Sequence, residues 1–143
     1  MADPRLSPRF DGIDPVYATF KIDNSTIVYD QTKAGGSAGA GLAVNLSASS
    51  TIQLVSDAQY VMGKLIRAQV DNIASVQIGG IVLLPGGVSA TLTAGSAIVG
   101  ALGAASAKGF IRTAAAATLA EVALQNGRIL DSADATNVAV WLT

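Results

Sequence analysis

Along most of this chain, apolar and polar residues alternate one for one. Leu42, Val44 and Leu46 alternate with Ala43 and Asn45. Ile66, Ala68 and Val70 alternate with Arg67 and Gln69, and Ala74, Val76 and Ile78 with Ser75 and Gln77. Val88, Ala90 and Leu92 alternate with Ser89, Thr91 and Thr93. A period of two is the signature of a strand with one face buried. Short strands are also expected at Thr51–Val55, Ile81–Leu84, Ala97–Leu102, Phe110–Thr113 and Val138–Leu142. Residues 16–31 are rich in β-branched and aromatic types around Asp23-Asn24-Ser25, so they predict strand, turn, strand.

The segment from Gly63 to Leu84 is regular enough to predict a register. A two-residue loop at Asp71-Asn72 pairs Ile66 with Gln77 and mixes the faces. A three-residue loop, Asp71 to Ile73, pairs Val70 with Ala74, Ala68 with Val76 and Ile66 with Ile78, giving one apolar face. Three-residue loops place a left-handed residue last, and Ile73 suits positive φ poorly. A five-residue loop, Val70 to Ala74, keeps the register and relaxes that conflict. Gly79-Gly80 predicts a bulge or bend, and Pro85-Gly86-Gly87 a turn. Ala114 to Gln125 is the one helix expected: Thr113 caps it, Gly127 follows it, and Leu119, Val122 and Ala123 share a face. Many short strands with Gly-rich turns predict an all-β fold, a small barrel or sandwich-like body with at most one short helix.

The first ~17 residues read differently, because Pro4, Pro8 and Pro15 disfavour helix and favour extended chain. The expected organisation is an extended N-terminal arm, 1–17, and one β-rich domain, 18–143. A chain of 143 residues is long enough for one domain with a real core.

Charge sharpens this picture. No Asp, Glu, Lys or Arg occurs in the 36 positions from Asn72 to Ala107, or in the 23 from Ala34 to Ser56. Small soluble domains normally scatter charge over their surface, so part of the uncharged segment is expected to lie against a neighbouring molecule. A membrane span is not supported despite the mean hydropathy of +0.47. The Ile78–Leu84 run is too short and is broken by Gly79-Gly80. A net charge of −1 argues against nucleic-acid binding.

Candidate chemistry is thin. The chain has no Cys and no His, which removes disulfides, thiolates, the commonest general base and every Ser-His triad. Gly35-Gly36-Ser37-Ala38-Gly39 matches the nucleophile-elbow string, but no His exists to deprotonate Ser37. Gly39-Ala40-Gly41 is followed by Val44 where a dinucleotide fingerprint needs Gly, and Gly95 to Gly100 is followed by Ala101-Leu102 rather than Lys-Ser or Lys-Thr. Glu121 is the only Glu, so a carboxylate pair for glycoside hydrolysis is unsupported. Asp131 with Asp134, or Asp11 with Asp14, could share a cation, yet turn roles explain them better. No catalytic residue, cofactor or metal ligand is therefore assigned. Aromatics crowd the N-terminal part (Phe10, Tyr17, Phe20, Tyr29), and an aromatic on an extended arm is a good anchor for a partner. The candidate partner contacts are Pro4, Arg5, Pro8, Arg9, Phe10, Pro15 and Tyr17.

The order of short motifs also carries a resemblance. It runs Ile27-Val28-Tyr29-Asp30, Gly41-Leu42-Ala43-Val44, Met62-Gly63-Lys64-Leu65, the strand pair to Ala74-Ser75-Val76-Gln77, Gly79-Gly80 and Leu84-Pro85-Gly86. Lys108-Gly109-Phe110-Ile111-Arg112, Gly127-Arg128-Ile129-Leu130-Asp131 and the β-rich end at Val138 to Leu142 complete it. This order resembles the decoration, or cement, proteins of tailed-bacteriophage capsids. It departs at Asp71-Asn72-Ile73, where a turn Gly is expected. The resemblance implies a non-enzymatic β-barrel-like protein on the outer surface of the virion head. It implies binding to the major capsid protein, self-association as a homotrimer, and bridging of shell subunits against internal pressure, with no nucleic acid, membrane or cofactor involved. The rival readings are a tail or surface-fibre component and a secreted β-rich adhesin or binding module.

Overall fold

The computed structural model describes residues 15–115 and 127–142. Nine strands are found there: β1 (Val16–Ile22), β2 (Ala43–Ala48), β3 (Thr51–Leu54), β4 (Gly63–Ala68), β5 (Ile73–Leu84), β6 (Ile98–Ala101), β7 (Phe110–Thr113), β8 (Gly127–Asp131) and β9 (Val138–Leu142). Among the described residues, helical turns are limited to two three-residue 3-10 turns, Ala34–Gly36 and Ala104–Ser106. The all-β architecture expected from alternation is what the chain adopts. Ala114 and Ala115 are not helical, and the rest of the expected 114–125 helix lies outside the described residues.

The first five strands close into a barrel in the order β1-β3-β2-β4-β5, with β5 returning to β1. All neighbours are antiparallel except β1 and β3, which meet in parallel at Lys21↔Thr51 and Ile22↔Ile52. Its core holds Ile22, Ile27, Val44, Ile52, Leu54, Leu65, Ala74 and Val76, with Phe20, Tyr29, Met62 and Ile78 packed around them.

β5 is twelve residues long and outruns this barrel. Its second half pairs with β9, from Gly80↔Leu142 to Leu84↔Val138, and β9 pairs with β8. Two isolated bridges extend the ladder. Ala97, just before β6, meets Arg128 of β8, and Gly86, just after β5, meets Ile111 of β7 in parallel. With β6 paired to β7, main-chain bonding runs around a second closed circuit: β5, β9, β8, β6, β7 and back to the continuation of β5. A second core fills it, built on Val82, Leu84, Ile98, Ile111, Ile129, Val138, Val140 and Leu142.

The two rings share more than β5. Successive residues of β2 point to opposite sides: Val44 belongs to the first core, while Ala43, with Val55 and Val61, belongs to the second. Main-chain bonds stitch the seam: Ala58 N donates to Gly100 O (3.0 Å), Gly100 N to Gln59 O (2.7 Å) and Gly109 N to Val55 O (2.8 Å). A Cβ on Gly100 would stand 2.2 Å from Ser56 O, so only glycine permits this approach.

Several expectations are corrected. The β4–β5 register is Ala68↔Ala74 and Arg67↔Ser75, then Leu65↔Val76 and Lys64↔Gln77 beyond a bulge. The expected pairs of Ala68 with Val76 and Ile66 with Ile78 do not form. The three-residue loop sits one position earlier, at Val70 to Asn72. Gln69 N bonds to Ile73 O (2.8 Å) and Asn72 N to Gln69 O (3.0 Å). That places Asn72, not Ile73, in the left-handed conformation, at φ 62°, which asparagine tolerates and isoleucine does not. The bulge at Ile66 then restores the core: it turns Leu65 inward, fully buried, and leaves Ile66 exposed.

Residues 26–31 do not form a second strand. Asp23 grips the chain there, accepting hydrogen bonds from Ser25 N, Thr26 N, Thr26 Oγ1 and Ile27 N. Val88 to Thr93 is not a strand either, in spite of its alternation. It turns at Ala90 N to Gly87 O and Ser96 N to Thr93 O, with Ser89 at φ 52°. Finally, Val16 and Tyr17 belong to β1, so the body begins before the expected boundary at residue 17. Their pairing to β5 at Gly79 and Gln77 captures them.

Candidate interaction surface

The outer face of β5, β9 and β8 gathers large apolar side chains that the fold leaves uncovered. Cross-strand pairing sets Ile81 opposite Trp141 and Trp141 opposite Arg128, while Leu83 stands two residues from Ile81 on the same side. Their alternates Val82, Val140 and Ile129 point inward to the second core. Trp141 is 48% exposed, and Leu83, Leu130 and Arg128 are also exposed. Leu130 faces outward with Arg128 by the alternation of β8. Exposed apolar clusters on a small protein mark contact surfaces. A partly buried tryptophan beside an arginine has the composition of an interface anchor.

The patch reaches the waist between the rings. β1 and β9 meet β5 at consecutive residues, Val16 opposite Gly79 and Leu142 opposite Gly80. Gly80 has φ 86°, a conformation costly for any other residue. Gln77 braces the kink: it is buried, and its Nε2 donates to Gly79 O (3.0 Å) and Ile81 O (3.3 Å). Val16 covers Gly79, its Cβ lying 3.2 Å from where a Cβ on that glycine would stand. Val16 and Tyr17 are both exposed, so the apolar surface continues onto β1. On the other flank of Gln77 stands Lys64 of β4. Burial holds the Lys64 amine below the usual lysine range.

Of the residues expected to contact a partner, Tyr17 lies on β1 and Pro15 is exposed just before it. Pro4, Arg5, Pro8, Arg9 and Phe10 lie outside the described residues. The apolar patch itself was missed from sequence. Ile81 stands 60 positions from Trp141 and 47 from Arg128 in the sequence, and little that is local distinguishes Trp141, turned outward, from a core residue. The one available signal was Trp141 standing between the buried-type residues Val140 and Leu142.

Two open clefts offer less. One, of about 540 Å³, lies by the Arg112–Asp57 ion pair (3.0 Å) with Val88, Ala90 and Leu102. The other, of about 550 Å³, is bordered by Tyr29, Lys33, Gly36, Arg67 and Val70. Ser37 is buried in its loop, and its Oγ accepts a hydrogen bond from Gly39 N (3.1 Å), a turn-forming role. Asp131 and Asp134 likewise accept from the backbone two residues on, at Ala133 N and Thr136 N. Among the described residues, no three His, Cys, Asp or Glu side chains stand together as metal ligands. No helix there is long and apolar enough to cross a membrane.

The uncharged stretch from Asn72 to Ala107 divides between these settings. β6 and the inward side chains of β5 are buried, while Leu83, Val88 and the 104–107 turn are exposed. Compared with protein-family models, with curated proteins and with solved structures, the chain matches none.

Proposed function

We propose that this protein is a non-enzymatic decoration protein that binds the outer surface of an assembled tailed-bacteriophage head and bridges neighbouring shell subunits. Its partners in this reading are the major capsid protein and further copies of itself in a trimer. The observation that carries the reading is the Trp141 face. It is an exposed, largely apolar sheet surface that continues onto β1, the strand that follows the N-terminal arm. A protein that must hold a shell together needs two kinds of contact: a stiff body surface and a tether that spans to a neighbour. Extended arms supply main-chain hydrogen bonds to a sheet edge, and repetition over a shell multiplies weak contacts into durable attachment. The resemblance in motif order set out above supports a tailed-bacteriophage head as that shell.

The test uses heads assembled without this protein. Purified chain is added, and occupancy and the heat stability of the particles are measured. The full chain is expected to saturate the heads and raise their disruption temperature. Trp141→Ser is expected to weaken binding about tenfold or more, the loss typical of a central anchor. Removal of residues 2–15 is expected to lower occupancy as well. No binding by the full chain overturns the reading, and attachment to tails or fibres instead, seen by particle imaging, replaces it with another structural role.

A further inference from the structure

β1 carries a full ladder on one side only. Toward β5 it pairs from Val16↔Gly79 to Lys21↔Ile73. On its other side it meets β3 at Lys21 and Ile22 alone. Two main-chain bonds fix which groups face which way. Lys21 N donates to Ser50 O (2.8 Å) on the β3 side, and Ile22 N to Asn72 O (3.1 Å) on the β5 side. Main-chain groups of successive residues alternate between the two edges of a strand. Ala18 and Phe20 therefore bond to β5, while the N–H and C=O of Tyr17 and Thr19 point to the edge that β3 does not reach. No described residue makes a main-chain bond to them there.

This edge also lacks the devices that blunt an open strand. Natural edges carry proline, charge or a covering element. Val16 to Phe20 contains no proline and no charged residue. Its Val, Tyr, Thr and Phe are strong strand formers, and Val16, Tyr17 and Thr19 are exposed. Such an edge is a template for another strand.

We propose that the edge pairs with the same edge of a second copy, β1 against β1, antiparallel about a two-fold axis at Ala18. The fit is self-complementary. With Ala18 on the axis, Tyr17 of each copy stands opposite Thr19 of the other. Residues opposite each other in a hydrogen-bonded pair exchange both bonds, so all four edge groups of each chain are satisfied together. The facing side chains join an aromatic to a β-branched residue, a favourable cross-strand pair. No like charges meet, because Lys21 lies beyond the pair and is already held by β3. The joined sheet runs β5, β1, β1, β5 through both molecules. An isologous contact closes on two chains, so it is separate from the proposed trimer and independent of the capsid reading.

One short strand buries less than a standard interface, and a weak dimer is expected, with a dissociation constant of about 0.1 mM. Sedimentation equilibrium of the full chain from about 10 μM to about 1 mM brackets that constant. The mass is expected to rise from 14.3 kDa toward twice that value. Over the same range, NMR hydrogen exchange at the Tyr17 and Thr19 amides is expected to slow about fourfold, following the loss of free monomer. The Ala18 and Phe20 amides, bonded to β5, stay protected throughout. Thr19→Pro removes an edge donor without touching the β5 ladder, so it is expected to fold and remain monomeric. A chain that stays monomeric at the highest concentration overturns the proposal. So does association that leaves exchange at Tyr17 and Thr19 unchanged, which places the contact elsewhere. A folded Thr19→Pro variant that associates like the original chain overturns it as well.

Discussion

Single side chains decide where this backbone turns. Asp23 is the clearest case. Burial pushes its carboxyl upward, but hydrogen bonds from Ile27 N, Thr26 Oγ1, Thr26 N and Ser25 N outweigh that and hold it below the ordinary 3.8. Thr26 Oγ1 in turn accepts from Leu54 N (2.9 Å), so one carboxylate ties the loop after β1 to β3. A carboxylate with a depressed folded pKa binds its proton less readily than in the unfolded chain. Its contribution to stability is therefore full above the unfolded value and is lost as pH falls through the folded one. Urea unfolding is expected to show stability falling with acid below about pH 4, the unfolded value for Asp. Asp23→Asn is expected to lower stability at neutral pH and to flatten that acid slope. An unchanged slope would show that other carboxylates dominate it. Asn72 works in the same local way: the hairpin loop forms where a left-handed residue is available.

At the scale of elements, β5 governs the architecture. It is one continuous strand that serves two rings, and Gly79-Gly80 is where it passes from one to the other. The positive φ at Gly80 admits no side chain without strain, and Gln77 uses two carbonyls to lock the bend. Gly80→Ala is expected to cost roughly 1–2 kcal/mol in denaturant unfolding, the range for a residue forced into such a conformation. A cost under about 0.5 kcal/mol, ordinary for a surface change, would show that the bend is not set by that residue. The bulges in β4 and β8 complement this bend. The one in β4 turns Leu65 into the first core; the one in β8 shifts its register against β9.

For the molecule as a whole, the question is whether two rings mean two folding units. The shared strand, the seam of main-chain bonds at Gly100 and Gly109, and the assignment of Ala43 and Val44 to different cores all argue that they do not. Neither ring closes without β5. Calorimetry is expected to give one transition, with the calorimetric and van't Hoff enthalpies equal, as for a two-state domain. Two resolved transitions would mean that the rings unfold separately.

Much of the strand inventory was legible in the sequence. Phe110–Thr113 and Val138–Leu142 form where alternation and composition place them, and Asp23-Asn24-Ser25 and Gly79-Gly80 turn and bend as their chemistry requires. The reason is that a period of two and a residue's tolerance of positive φ are local properties. What alternation cannot specify is the partner. It left the β4–β5 register two residues out, and it marked Val88–Thr93 as a strand although that segment makes only single main-chain bonds to Leu102 and Thr113 and forms no ladder. It gave no sign that β9 would insert between β5 and β8, or that Ile81, Trp141 and Arg128 would stand in a row. Those outcomes depend on which distant segments bury most apolar surface together, and only the closed rings decide that. So the sequence by itself determined an all-β chain and the chemistry of its turns. The tertiary structure determined that β5 joins two cores, and that one apolar face is left open where the N-terminal segment begins.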